Sequence, residues 1–428
     1  MRTSLTRTDM KSPILLSLIC VLAMQFTDLN FFGGIKLGDV LSFILISILF
    51  GTIARRSFIP KLYIRFLFIF SALLVISLLC FFWVDFYPPK AVADSFFKRP
   101  GFISVSRYIQ YILCILFAVT IHVYISMADA KKRKLFVLFV DKLMLLFCVS
   151  FLLFWVAAIF GLDSPFVYGS DNRLRGGFVE GGPYGLMVAS YLLFRFFLLG
   201  KYGIKIWLIV CGATLIASES KAGMLALLVG FIAIQMINKP LRRNFRGIMA
   251  ILIIAIISIE YTAAFEKISG YWNDYINIFS AIQGREEDPA LVMGRVAALH
   301  IAPKIFADNW LFGVGFGNYS LVRNNPNYRG VIPPTDEWDL TGLGGLATFA
   351  LESGLFGFVL FLLSLIPLWN GRRAQKEVLL IFLLPQIFGV QLYFHYIWYF
   401  LAVGYGFRNH AEDQKLISHQ AHQYGMSS

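Results

Sequence analysis

Long apolar runs alternate with short polar stretches along most of the chain. A helix that crosses a membrane needs about 20 apolar residues. Runs near that length occupy residues 13–30, 38–54, 62–84, 105–127, 135–160, 181–200, 203–217, 222–237, 247–264, 341–369, 377–391 and 393–408. The pattern predicts an all-α polytopic membrane protein with about 12 spans, of which the last two form a tight hairpin.

Basic residues between the runs predict the orientation, because cytoplasmic loops collect Lys and Arg. Every second loop is basic, beginning with the N-terminus and including residues 131–134 and 372–376. This alternation predicts an even number of spans with both termini in the cytoplasm. The first apolar run lacks a small-residue cleavage site, so we expect it to be a span and not a signal peptide.

The composition agrees with this class of protein. The chain is 58% hydrophobic and 15% charged, whereas about a quarter of a soluble domain is charged. The mean hydropathy is +0.70. The net charge of +13 lies mostly in short loops, which argues against a nucleic-acid partner. All five cysteines lie inside apolar runs without a CxxC pair, so we expect packing residues and neither a metal site nor disulfides.

Three segments on the predicted external side are longer and more polar than simple connections: residues 85–104, 161–180 and 265–340. Loops of this kind usually carry function. We therefore expect residues 1–428 to form one integral membrane domain, with a first external arginine loop at 161–180 and a long external loop at 265–340.

The long loop contains a predicted helix followed by a glycine-rich turn. Apolar residues recur at near-helical spacing from Val296 to Leu311, which predicts an amphipathic helix on the membrane surface, bent or interrupted at Pro303. The string "GVGFGN" at 313–318 predicts a tight turn back to the next span. By itself it is weak evidence for an anion site.

The arginine loop carries the clearest candidate chemistry. Its string "NRLRGGFVE" places Arg173, Arg175 and Glu180 just before the sixth run. Arginines at the edge of a membrane are costly unless they face water or an anion. Their planar fork of donors suits a phosphate or diphosphate. We expect Arg173 or Arg175 to converge with Arg295 of the long loop.

Four strings, in order, resemble the marks of Wzy-type polysaccharide polymerases of the O-antigen ligase and polymerase superfamily. They cover residues from about 170 to 365 and read "RLRGGFVE", "SESKAGMLALLVG", "GRVAALHIAPKIFADNWLFGVGFGNY" and "GLGGLATFALESGLFGFVLF". The resemblance implies a GT-C-like membrane glycosyltransferase on the outer face of the bacterial plasma membrane. It would polymerise repeat units linked to undecaprenyl diphosphate without a metal or cofactor, with a chain-length co-polymerase as a possible partner.

Carried onto this sequence, the resemblance makes Arg173 and Arg295 the residues that face the diphosphate. Further candidates for substrate binding are Arg175, Lys221, His300, Asn318 and Asp339. An acceptor hydroxyl needs a general base. The candidates on the external side are Glu180, Asp336, Glu337 and Asp339, of which we favour Glu180 because it lies at the membrane edge.

Two other functions remain open at this stage. Ligases of the superfamily carry a histidine about nine residues before the glutamate of E-x-G, whereas Leu343 stands near that place before Glu352. Its absence favours a polymerase over a ligase. A lipid-linked glycan transporter would show a two-fold repeat and charges at mid-membrane. We find no matching half and few charges within the runs.

Three ionisable residues inside the runs are interpreted as structural. We expect Arg195 to extend to the cytoplasmic interface, as long basic side chains do. His122 and His395 are expected to be hydrogen-bonded packing residues.

Overall fold

The computed structural model describes residues 12–32, 35–54, 59–168, 172–199, 204–238, 264–336, 342–371 and 373–407. Within these ranges the chain is an all-α polytopic membrane protein. The apolar helices are α1 (Pro13–Gln25), α2 (Leu37–Ala54), α3 (Lys61–Leu79), α4 (Pro100–Met127), α5 (Ala130–Ile159), α6 (Gly181–Phe194), α7 (Ile204–Ala217), α8 (Lys221–Asn238), α15 (Gly345–Trp369), α16 (Arg373–Ile387) and α17 (His395–Phe407).

The predicted spans agree with these helices. Every predicted run in the described part of the chain contains a helix, whereas the run at 247–264 lies almost wholly outside it. Among the described residues, five helical segments are long and apolar enough to cross a membrane: Lys61–Phe82, Pro100–Met127, Ala130–Ile159, Gly181–Leu199 and Gly345–Trp369. The five cysteines are buried and free, which confirms their interpretation as packing residues.

The helices pack around a core that is rich in aromatic rings. Phe66 lies edge-on to Trp398 at 5.3 Å, and Phe70 packs on Tyr111 at 4.7 Å. Small residues allow close approach elsewhere, as expected where lipid provides no hydrophobic drive between helices. A Cβ on Gly223 of α8 would lie 2.9 Å from the backbone of Gly185 in α6.

Residues 264–336 form a second layer, the cap, on one end of the bundle. It contains α9 (Ala264–Ile276), α10 (Ile278–Ile282), α11 (Pro289–Val292), α12 (Arg295–Asp308), α13 (Tyr319–Val322) and α14 (Pro326–Arg329). Its apolar core includes Leu291, Ile301 and Ile332, together with Cys80 and Val84 from the end of α3. We call this end of the bundle the cap face.

The predicted amphipathic helix exists as α12, and it runs through Pro303 without interruption. Val296, Ile301 and Ile305 on its apolar face are buried in the cap core. Leu299 on the same helix is exposed, and the position of α12 at the membrane surface stays a prediction.

Two small antiparallel ribbons complete the described structure. β1 (Asn30–Phe32) pairs with β2 (Ile35–Lys36) between α1 and α2. β3 (Val167–Tyr168) pairs with β4 (Arg173–Leu174) between α5 and α6. Contacts of both connections, given below, place them at the cap face.

Candidate functional site

The β3–β4 ribbon presents Arg173 to the turn between α7 and α8. Arg173 pairs in register with Tyr168. Its Nη2 donates to the carbonyl of Ser218 at 3.3 Å, and its Nε lies 3.9 Å from a carboxylate oxygen of Glu219. The Nε–H has no hydrogen-bond partner among the described residues. The strings "RLRGGFVE" and "SESKAG", distant in sequence, therefore meet at Arg173.

Glycines allow this loop to lie flat on the bundle. Gly176 has a φ of +56°, and a Cβ there would lie 2.7 Å from the ring of Tyr184. Gly177 packs directly on the carbonyl of Gln25 at the end of α1. A side chain at either position would push the loop away from the bundle. The two glycines therefore keep the loop that carries Arg173 close to the bundle.

The two remaining candidates in this loop lie at its rim. Arg175 donates from Nε to the carbonyl of Pro165 at 3.2 Å, and its guanidinium lies 5.7 Å from the Tyr168 ring centre. Glu180 is exposed at the N-terminus of α6 and makes no capping hydrogen bond. Both side chains are accessible from the cap face, and among the described residues neither forms a hydrogen bond or an ion pair with Arg173.

Arg295 begins α12 and is exposed. The preceding Gly294 packs on Gly342, just before α15, where a Cβ would collide with the Gly294 carbonyl. Arg173 and Arg295 belong to different packing units, since Leu174 lies in the bundle core and Val296 in the cap core. The two arginines share no partner among the described residues, so their convergence on one ligand stays a prediction.

His300 lies on another face of α12. Its Nε2 is 2.8 Å from the Lys304 Nζ, which also donates to the carbonyl of Tyr328 at 3.1 Å. Partial burial, together with the Lys304 charge, lowers the pKa of His300. Lys221 is half-buried at the first position of α8. Asp339 lies outside the described residues.

The glycine-rich turn is inserted into the bundle. Gly313, Gly315 and Gly317 have φ values of +71°, +86° and +71°. The N–H of Gly315 donates to the Glu352 carbonyl at 2.8 Å. The Phe316 N–H donates to the Ser77 hydroxyl at 3.0 Å. The predicted tight turn is thus a re-entrant turn between α3, α4 and α15.

Asn318 secures this turn. It is fully buried, and its Nδ2 donates to the carbonyl of Val314 at 3.0 Å and to the Ser104 hydroxyl at 3.3 Å. Where the turn packs against α15, that helix is broken at Gly354, whose φ is +63°. Irregular backbone inside a membrane protein is tolerated where it is buried in protein or lines a cavity. These contacts give Asn318 a structural role, and its substrate-binding role stays a prediction.

Beneath these loops lies a group of ionisable side chains that the sequence analysis missed. We call it the inner polar cluster: Lys36, Asp39, Arg107, Glu352, Tyr393 and His395. Arg107 lies with its guanidinium carbon 3.9 Å from the Tyr393 ring centre, and Lys36 lies 4.6 Å from the same centre. His395 is 3.7 Å from the Asp39 carboxylate and 3.0 Å from the Thr27 hydroxyl.

Both external loops reach this cluster. From the arginine loop, the Val179 N–H donates to Asp28 at 3.4 Å, and Asp28 forms an ion pair with Lys36. From the glycine-rich turn, a Cβ on Gly317 would lie 3.7 Å from the Arg107 Nε. The N–H groups of Gly317 and Tyr319 point at the Glu352 carboxylate. The two predicted loops therefore come together at the inner polar cluster.

Several charged side chains lie inside the bundle. Asp39 and Glu352 are buried, and Arg107 is half-buried inside α4. Asp39 and Arg107 are visible in the sequence as single charges near the ends of apolar runs. Averaging the hydropathy over a whole run hides them. Arg195 departs from its prediction: it is buried and pairs with Asp141 at 2.9 Å instead of extending to an interface.

The two histidines inside the bundle, His122 and His395, agree better with the expectation that they are packing residues. His395 is hydrogen-bonded to Thr27, and His122 packs between the rings of Tyr63 and Tyr405. Among the described residues, no group of three His, Cys, Asp or Glu side chains is arranged to hold a metal ion.

A family model described as O-antigen ligase matches residues 206–362. The matched stretch begins in α7 and includes the α7–α8 turn, the cap, the glycine-rich turn and Glu352. Over this stretch the chain is similar to the O-antigen ligase/polymerase superfamily. Its members are membrane glycosyltransferase-like enzymes that act on lipid-linked glycans. Arg295, His300, Lys221 and Asn318 lie inside the match, whereas Arg173 and Arg107 lie outside it. None of the curated proteins matches the sequence.

Proposed function

We propose that the protein polymerises oligosaccharide repeat units carried on undecaprenyl diphosphate into a surface polysaccharide. The reaction would be a glycosyl transfer without a metal, at the outer face of the bacterial plasma membrane. One observation carries the proposal: the arginine loop and the glycine-rich turn, far apart in sequence, both contact the inner polar cluster at the cap face. A basic site formed by two loops suits a lipid-linked diphosphate.

The proposed chemistry uses the arginines as fixed positive charges. As the bond between the sugar and the diphosphate breaks, negative charge grows on the departing phosphate, and preorganised donors stabilise it. Arg173 has an Nε–H without a described partner, and Arg295 is exposed at the start of α12. Loss of one such donor typically costs about 3 kcal/mol, or about a hundredfold in rate.

Glu180 is the proposed general base. It is exposed and makes no capping hydrogen bond, so its carboxylate can turn toward an acceptor hydroxyl. Asp336 is exposed as well, at the end of the described part of the cap. Glu337 and Asp339 lie outside the described residues.

The proposed orientation places the cap outside the cell and both termini in the cytoplasm. The basic run at 131–134 supports it, because this run lies at the start of α5, at the end of the bundle opposite the cap face. Positive charge collects on the cytoplasmic side of membrane proteins. A co-polymerase that sets the chain length is a proposed partner.

A ligase that transfers finished glycan to lipid A-core is the second candidate, since the matching family model is described as O-antigen ligase. The described histidines argue for the polymerase. His300 lies against Lys304, and His395 and His122 are buried in the bundle. None of the three replaces the histidine that ligases carry before E-x-G.

The test is complementation of a deletion strain, read on a gel of surface polysaccharide. Arg173→Ala and Arg295→Ala should each abolish long chains and leave the single-repeat product. Arg285→Ala is the matched control, since Arg285 is also a cap arginine but is paired with Asp274 and Asp288. It should keep the wild-type ladder.

Three other outcomes identify alternatives. Wild-type chain lengths in both variants, at normal protein level, contradict the assigned arginines. Polymer that is made but not attached to core in the deletion strain identifies a ligase. Loss of all external glycan from that strain indicates transport.

A further inference from the structure

Arg107 differs from the buried arginines Arg195 and Arg329 in how its charge is satisfied. Arg195 forms an ion pair with Asp141, and Arg329 donates to several backbone carbonyls, including that of Val292 at 2.9 Å. In both cases, other groups of the protein pair with the guanidinium. Arg107 donates from Nη1 to Gln110 at 2.9 Å and hydrogen-bonds to the side chain of Tyr393, and no carboxylate forms an ion pair with it among the described residues.

The position of Arg107 makes this arrangement costly without a ligand. It lies two turns into α4, about 10 Å from the start of the helix. An ionised group inside a membrane span is usually retained for function. Glu352, a carboxylate that acts electrostatically on Arg107, is already approached by the N–H groups of Gly317 and Tyr319.

The neighbours of Arg107 hold its orientation without neutralising it. The guanidinium stacks on Tyr393, and its Nη1 donates a hydrogen bond to Gln110. Gln110 is oriented in turn by Asp39 at 3.5 Å. Lys36 lies on the same tyrosine ring and is itself paired with Asp28. A stacked, hydrogen-bonded guanidinium with open donors is preorganised for a planar, two-pronged anion.

We propose that Arg107 is a further substrate-binding residue, which holds the phosphate end of the lipid-linked donor beneath the arginine loop and the glycine-rich turn. Tyr393 and Gln110 act as positioning residues for it. This inference rests on the proposed function, because it names a third contact for the same diphosphate. It places the bound phosphates deeper in the bundle than Arg173 and Arg295 alone would.

The experiment measures binding directly. Wild-type protein, Arg107→Gln and Arg99→Gln are purified in nanodiscs of neutral phosphatidylcholine, which removes anionic headgroups as competitors. Each is titrated with undecaprenyl diphosphate, undecaprenyl monophosphate and inorganic pyrophosphate. Arg99 is the matched control, because it precedes the same helix but is exposed and lies over Phe96, outside the cluster.

Arg107→Gln should weaken binding of undecaprenyl diphosphate by about ten- to hundredfold, the effect of losing a charged hydrogen bond. Arg99→Gln should bind like wild type. Arg107→Lys, which keeps the charge but not the fork, should bind with intermediate affinity. Elution as a single peak in size-exclusion chromatography checks that each variant is folded.

The outcomes separate this inference from the proposed function. If wild type binds the lipid diphosphate and folded Arg107→Gln binds it equally well, the role of Arg107 is wrong and the proposed function stands. If wild type does not bind the lipid diphosphate, the proposed function fails and this inference fails with it. Equal weakening for free pyrophosphate shows that Arg107 recognises the phosphates and not the lipid chain.

Discussion

Arg195 and Arg107 lie inside the same bundle at opposite ends, and their surroundings differ. Away from the cap, Arg195 of α6 is buried with Asp141 of α5, and Tyr191 donates to that carboxylate at 3.4 Å. At the cap face, Arg107 is stacked and oriented but has no carboxylate partner among the described residues. A buried charge that is paired within the protein stabilises the fold. A charge whose hydrogen-bond donors are not all used by the protein can bind a ligand.

The backbone shows the same contrast. Away from the cap face the described helices continue regularly, apart from a π-helical turn at Arg195–Leu199. At the cap face, α15 is broken at Gly354 and a glycine-rich turn enters the bundle. Irregular backbone and incompletely satisfied charge occur at the same end. This coincidence is why we propose the cap face as the functional one.

The largest effect on stability is expected from breaking the ion pair between Arg195 and Asp141. Asp141→Ala leaves the Arg195 charge buried without its carboxylate and should cost about 3–5 kcal/mol of unfolding free energy. Thermal unfolding of purified protein in detergent measures this loss. The double variant Asp141→Leu with Arg195→Met removes both charges and should recover most of it. A stable Asp141→Ala single variant would show that the pair is not structural.

Gly315→Ala tests the inserted turn and should cost about 1–3 kcal/mol. Gly315 has a φ of +86°, and a Cβ there would lie 2.7 Å from the Asn318 Nδ2. The same thermal unfolding assay applies. Gly270→Ala, within α9, is the control, because a Cβ there meets nothing within 4 Å. Equal stability of the two variants would mean that the turn does not need a glycine at 315.

Arg107→Gln should change the stability by no more than about 1 kcal/mol, because removing a desolvated charge offsets the lost hydrogen bond. Its effect on ligand binding should nevertheless be large. A stability loss as large as that of Asp141→Ala would make Arg107 a structural residue like Arg195 and would remove the contrast between the two ends.

The smallest effect concerns the pH dependence of thermal stability that arises from His300 in the cap. The pKa of His300 is lowered, so the folded state favours the neutral ring. Its contribution to stability is present above the free-histidine pKa of about 6.5 and is lost as the pH falls below it. Wild type should therefore lose slightly more thermal stability between pH 7 and pH 5 than His300→Gln. Identical slopes would show that His300 does not titrate differently in the folded state.

Hydropathy was sufficient to predict the spans, because burial in lipid imposes a length and composition on each helix. It placed α4, α5 and α15 within a few residues. Helical periodicity also predicted α12, but periodicity cannot say what covers an apolar face. The cap core that covers Val296 and Ile301 depends on contacts with the end of α3, more than 200 residues away.

The candidate site was predicted only in part. Motif strings identified Arg173, Arg295 and the glycine-rich turn, since local spacing is visible in a sequence. The inner polar cluster was not predicted, because Lys36, Arg107, Glu352 and His395 come from four segments that are far apart in sequence. Only tertiary packing brings them together.

The central claim is best tested by reconstituting the purified protein in liposomes with a single lipid-linked repeat unit and no other acceptor. The products are separated by length on a gel. The account predicts a ladder of longer glycans that remain linked to undecaprenyl diphosphate, with free undecaprenyl diphosphate released at each step, and no ladder with Arg173→Ala. Unchanged repeat unit with wild-type protein, followed by transfer only when lipid A-core is added, would contradict it.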